Sequence, residues 1–94
     1  MNTVDTAVSA EDFFKQGEVK AETGNYIEAM QDYNQALLLN PNDAKAYGNR
    51  GLARLQLGDQ RGALEDFQTS ARLFLNQGSL ANYQVALGYV QKLR

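Results

Sequence analysis

The fold is decided by residues 10–77, which read as two consecutive stretches of equal length. Residues 10–43 are AEDFFKQGEVKAETGNYIEAMQDYNQALLLNPND, and residues 44–77 are AKAYGNRGLARLQLGDQRGALEDFQTSARLFLNQ. Sliding one along the other by 34 positions gives seven identities: Ala10/Ala44, Gly17/Gly51, Gly24/Gly58, Ala29/Ala63, Asp32/Asp66, Leu39/Leu73 and Asn42/Asn76. Conservative pairs fill the gaps, among them Phe13/Tyr47, Lys20/Arg54, Met30/Leu64 and Tyr33/Phe67. The identities cluster at small and aromatic positions, where composition alone would not place them.

Each stretch carries the punctuation of two helices. Ser9, with Asp12 three residues on, forms an approximate capping box for a first helix that runs to Thr23. Gly24 can end it in the left-handed conformation. Asn25 stands at the next N-cap, before a helix over Tyr26–Leu39 that stops ahead of Asn40-Pro41. The pattern restarts with Asp43 capping Ala44–Leu57, Gly58 ending it, and Asp59 capping a helix from Gln60 to Leu75. Asn76-Gln77-Gly78 breaks the chain, and Ser79 caps a last helix that ends near Leu93. No segment alternates as a strand would, so the expected fold is all-α with five helices.

A 34-residue helix–turn–helix period is the mark of the tetratricopeptide repeat. Phe13, Gly17, Gly24, Ala29, Tyr33, Ala36 and Pro41 in the first unit, and Tyr47, Gly51, Gly58, Ala63, Phe67 and Ser70 in the second, resemble that family at the family's spacings. The resemblance covers about residues 10–77, and the last helix looks like the family's C-terminal capping helix. It implies antiparallel helix pairs stacked as a short right-handed superhelix. The expected organisation is a flexible tail over 1–8 and one domain over 9–94, with repeats at 10–43 and 44–77 and a capping helix at 79–93. Departures from the pattern stand beside the glycines, where Gln16, Lys20, Arg50 and Arg54 replace apolar or aromatic residues. Their stems can cover apolar surface, and the two arginines, one turn apart, invite pairing with an acid on a neighbouring helix.

Composition narrows the function. The 94 residues include no Cys and no His. That removes disulfides, thiolate metal sites and the usual general base near neutral pH. Adjacent carboxylates such as Glu11/Asp12 and Glu65/Asp66 point in different directions on a helix, and no glycines cluster into a phosphate loop. We therefore expect no enzyme activity, no catalytic residue, no metal and no cofactor. The net charge of −2 disfavours a general nucleic-acid binder. No apolar run reaches membrane-spanning length. MNTVDTAVSA lacks the basic and apolar regions of a signal peptide, and a cytoplasmic protein is expected.

Binding remains. Similarity to tetratricopeptide proteins implies that the first helix of each unit lines a concave groove for a peptide or partner helix. The groove would then present Phe14 and Glu18 from the first unit and Lys45, Asn49, Leu52 and Leu55 from the second. One subclass of the family clamps carboxylate-ended chaperone tails. Asn49 matches one clamp position, but Phe14, Glu18, Ser79 and Tyr83 occupy the others, so that ligand is not expected. The alternative is self-assembly as a homodimer or a stacked or domain-exchanged oligomer. Periodicity sets Leu80, Tyr83, Leu87 and Val90 of the last helix against the second repeat and leaves Ala81, Val85, Gly88 and Tyr89 outside, a shallow apolar face. Residues 1–43 carry net −6 and residues 44–94 net +4, an asymmetry that favours association.

Overall fold

The computed structural model describes residues 8–94. The tail expected over 1–8 lies, apart from exposed Val8, outside the described residues. Five helices follow in order: α1 Ala10–Glu22, α2 Tyr26–Leu39, α3 Ala44–Gln56, α4 Gln60–Asn76 and α5 Leu80–Leu93. No strand occurs among the described residues. Every helix starts where its cap was read and ends within a residue of the expected stop.

Local chemistry explains those boundaries. The Ser9 hydroxyl accepts the Asp12 N–H at 3.1 Å, while the Asp12 carboxylate accepts the Ser9 N–H at 3.1 Å. The Ser9 backbone N–H, and the Ser9 side chain beside it, hold the Asp12 carboxyl below its ordinary value. Asp43 accepts from Lys45 and Ala46, and Asp59 from Gly62. Asn25 and Ser79 occupy N-cap positions without such a bond; the Asn25 amide donates to Thr23 instead. At Gly24, φ is 83°. That left-handed turn lets Asn25 N–H reach the Lys20 carbonyl at 2.8 Å and Gly24 N–H reach the Ala21 carbonyl at 3.0 Å. Free helix-end carbonyls are thereby satisfied.

The helices pack in sequence, α1 on α2, α2 on α3, α3 on α4 and α4 on α5. Tyr33 and Phe67, at equivalent positions of the two repeats, are 1% and 2% exposed and centre the two layers of core. Ala29 and Ala63 are wholly buried, yet the atoms nearest Gly17 belong to the Tyr33 ring and those nearest Gly51 to the Phe67 ring. The glycines thus make room for an aromatic ring of the partner helix. Ser70, 1% exposed, donates to the Ala44 carbonyl at 2.8 Å and ties α4 to the start of α3.

The cationic departures from the repeat pattern are absorbed by buried acids. Arg50 grips Asp66 with two donors, at 3.0 and 2.8 Å. Its third contact reaches the Asn34 side-chain oxygen on α2 at 2.8 Å. Hydrogen bonding to Asp66 pushes the Arg50 guanidinium above its ordinary value. Arg54 adds a bond to the same carboxylate at 3.0 Å. In the first repeat, Lys20 stands 2.7 Å from Asp32 in the register of Arg54 and Asp66.

Helix α5 is rotated from the expected orientation. Its buried residues are Ala86 and Val90, whereas Leu80 is 61% exposed. Tyr89, read as outward, stacks on Phe67 with ring centroids 4.5 Å apart and planes 9° apart. The polar residues Gln84, Gln91 and Lys92 of α5 are exposed and mark only its outer side. Within the broad apolar remainder, the flat Phe67 ring, which can take another ring against it, brings Tyr89 inward.

Candidate functional site

Helices α1, α3 and α5 line one side of the stack, with α2 and α4 behind them. Between α3 and α5 lies a recess of about 270 Å³. Lys45, Gly48, Asn49 and Leu52 of α3 form one wall, and Asn82, Val85, Ala86 and Tyr89 of α5 the other. Phe67, Ser70 and Phe74 of α4 form the floor, and Phe14 and Glu18 of α1 close the near end. Phe14 is half-buried, its ring 5.9 Å from that of Tyr33.

Five of the six groove residues named from the sequence meet here: Phe14, Glu18, Lys45, Asn49 and Leu52. Leu55 does not. It packs against the core cluster of Ala63, Phe67 and Val90, because three residues beyond Leu52 the helix surface has turned toward α4 and α5. The four residues assigned to self-association are divided. Ala81 and Val85 are exposed, and a Cβ on Gly88 would meet open space. Val85 also lines the recess, as does Tyr89. Phe74 and Asn82 were missed. Phe74 was legible in principle, since it follows Phe67 by seven residues and shares its helix face. Asn82 depended on the rotation of α5.

The chemistry of the recess is that of a binding surface. Leu52, Phe74, Val85 and Tyr89 supply apolar wall, and Asn49 and Asn82 supply amides that both donate and accept. Among the described residues, no group of three or more acids is placed to hold a metal ion. No helix among them is long and apolar enough to cross a membrane.

A helix-pair repeat of 34 residues with an apolar concave recess defines the class of protein, and comparison with known proteins agrees. Residues 17–58 match the family model described as TPR repeat, and residues 44–77 match that of the tetratricopeptide repeat. The chain belongs to the tetratricopeptide-repeat family. Tetratricopeptide repeat protein 36 of Homo sapiens is 41% identical over 66 residues, which are 70% of this chain and 35% of that protein. DnaJ homolog subfamily C member 7 of Mus musculus is 41% identical over 69 residues, 73% of this chain and 14% of that one. The chain therefore spans about a third of the first relative's length and far less of the second's. The crystal structure of PcrH from Pseudomonas aeruginosa superimposes with a TM-score of 0.87 at 25% identity, covering 96% of this chain and 68% of that one. Repeats of this family form protein–protein interaction modules, and its members are generally adaptors without catalytic activity.

Proposed function

We propose that the chain is a non-catalytic adaptor whose concave face holds an extended peptide of a protein partner, seating one apolar side chain between α3 and α5. The observation that carries this is the recess itself, walled by Leu52, Phe74, Val85 and Tyr89 and edged by Asn49 and Asn82. Its volume of about 270 Å³ is just below the roughly 300–1,000 Å³ of pockets for whole small-molecule ligands. That size suits a single large side chain. The two amides can pair with the backbone of the extended segment, and Phe14, Glu18 and Lys45 border its path.

The test is chemical-shift mapping with a peptide selected on the immobilised chain from a random display library. Shifts should gather at Asn49, Leu52, Asn82 and Tyr89. Leu52→Glu should weaken binding at least about tenfold, which is about 1.4 kcal/mol. Shifts confined to Ile27, Leu38 and Arg72 on the opposite side would refute the reading. A chaperone-tail peptide with an acidic end should bind poorly, since Glu18 stands in the groove.

A second reading, self-assembly through α5, is favoured by one observation. Leu80 and Val85 are 61% and 62% exposed on a helix with no charged residue before Lys92. Sedimentation of the wild type and of Leu80→Glu tests it. Leu80 lies outside the recess, so the variant separates association from groove binding. A wild type that stays monomeric at high micromolar concentration ends this reading.

A further inference from the structure

The groove is electrically lopsided. A second recess of about 330 Å³ adjoins the first and shares Glu18, Asn49 and Leu52 with it. It lies between α1 and α3, with Tyr33 of α2 behind. Its charged lining residues are Glu18 and Glu22, which stand one turn apart on the same face of α1. Neither has an ion-pair partner among the described residues, whereas Glu11, Asp32, Asp59 and Asp66 all have one. The Tyr33 hydroxyl, next to this recess, is pushed above its ordinary value. Burial is the main cause, the neighbouring Asn49 side chain opposes it, and the charges of Glu18, Asp32 and Glu22 add to it. Asp32 is already compensated by Lys20 at 2.7 Å. The uncompensated field therefore comes from the two glutamates.

The other end of the groove offers no matching attraction for an acid. Lys45 is its cation, but it borders a hollow with Glu11 and Asp43, which temper its charge. A peptide lying across α1, α3 and α5 thus meets an apolar seat and, one helix away, two unpaired carboxylates. The two recesses share Glu18, Asn49 and Leu52, so the seats adjoin. An extended chain turns every second side chain to the same side, which puts the two seats under residues about two or four positions apart.

We infer that the partner segment carries a Lys or Arg about two or four residues from its apolar anchor, with the cation held by Glu18 and Glu22. This rests on the groove reading proposed above and adds the charge and spacing of the ligand. The pair suits a side-chain cation, since two carboxylates can share one ammonium or guanidinium, and no group of three or more acids is placed to hold a metal ion among the described residues.

A random peptide display library, panned on the wild-type chain at low salt, tests it. Selected sequences should share an aliphatic or aromatic residue with Lys or Arg enriched about two or four positions to one side. Panning on Glu18→Lys/Glu22→Lys should replace that basic preference by an acidic one at the same spacing. Glu22→Lys alone, at an exposed position, serves if circular dichroism shows the double variant unfolded, and should abolish the basic preference. For the best wild-type peptide, replacing its cation by Ala should cost about two- to fivefold in affinity, as expected for partly solvated ion pairs, and high salt should erase the difference. Apolar enrichment without a basic neighbour, or a preference indifferent to the charge swap, overturns this inference and leaves the groove reading standing. Selected peptides without an apolar anchor overturn both.

Discussion

At the scale of single residues, two glycines with the same place in the repeat are not equivalent. A Cβ on Gly17 would come within 2.6 Å of the Tyr33 ring, which is 1% exposed, so the ring or the helix must move. On Gly51 it would stand 3.1 Å from the Phe67 ring, a tight contact that a small shift relieves. Replacing glycine by alanine inside a helix also gains about 1 kcal/mol. Urea unfolding should therefore find Gly17→Ala destabilised by about 1–3 kcal/mol, the range of overpacked cores. Gly51→Ala should change by less than about 1 kcal/mol. Asp12 offers a second residue-scale expectation. Its folded pKa is depressed by the Ser9 hydrogen bonds, so its contribution is present above the unfolded carboxyl value and is lost as pH falls through the lower folded value. An NMR titration should show the Asp12 carboxyl protonating below an ordinary aspartate, with the Ser9 amide shifting in step.

At the scale of elements, the stack is held by more than apolar burial. Arg50 reaches from α3 to Asp66 on α4 and to Asn34 on α2, and Arg54 meets the same aspartate. Asp66 is 3% exposed and takes three charge-assisted bonds. Removing it strands two partly buried guanidinium groups, and breaking a buried pair from one side costs about 3–5 kcal/mol. Asp66→Ala should fall in that range in chemical denaturation. Asp32→Ala should cost less, because Lys20 is 40% exposed in its side chain and water can take over the ammonium. The sequence showed the Asp32/Asp66 and Lys20/Arg54 pairs in register, but not that Gln16 and Arg50 would make the two repeats differ in how firmly they are tied.

At the scale of the whole molecule, α5 carries two roles. Its inner side closes the groove with Asn82, Val85 and Tyr89, while Leu80 and Ala81 remain exposed. Gly88 separates these roles. A Cβ there would meet nothing within 4 Å, so Gly88→Ala should stabilise the chain by up to about 1 kcal/mol through helix propensity alone. A thermal melt checks this. If copies of the chain associate closely across Gly88, the same change should weaken the oligomer in sedimentation while the monomer gains stability.

What the sequence determined by itself is whatever depends on neighbours along the chain. Helix starts and stops follow from Ser9, Asp43, Asp59 and the left-handed glycines, because caps act within a turn. The repeat follows from identities 34 residues apart. Five of the six residues that the tetratricopeptide resemblance set in a groove line the recess, because the repeat register fixes which positions of α1 and α3 share a face. Only the tertiary structure decided the rotation of α5, and with it the places of Tyr89 and Asn82. A helix apolar on most sides is oriented by the shape of what it packs against, here the Phe67 ring, and that shape exists only after α4 has folded onto α3. Leu55 was misplaced for a related reason. It sits where the face lining the groove passes into the face that packs on the core, and a few tens of degrees of helix rotation decide between them.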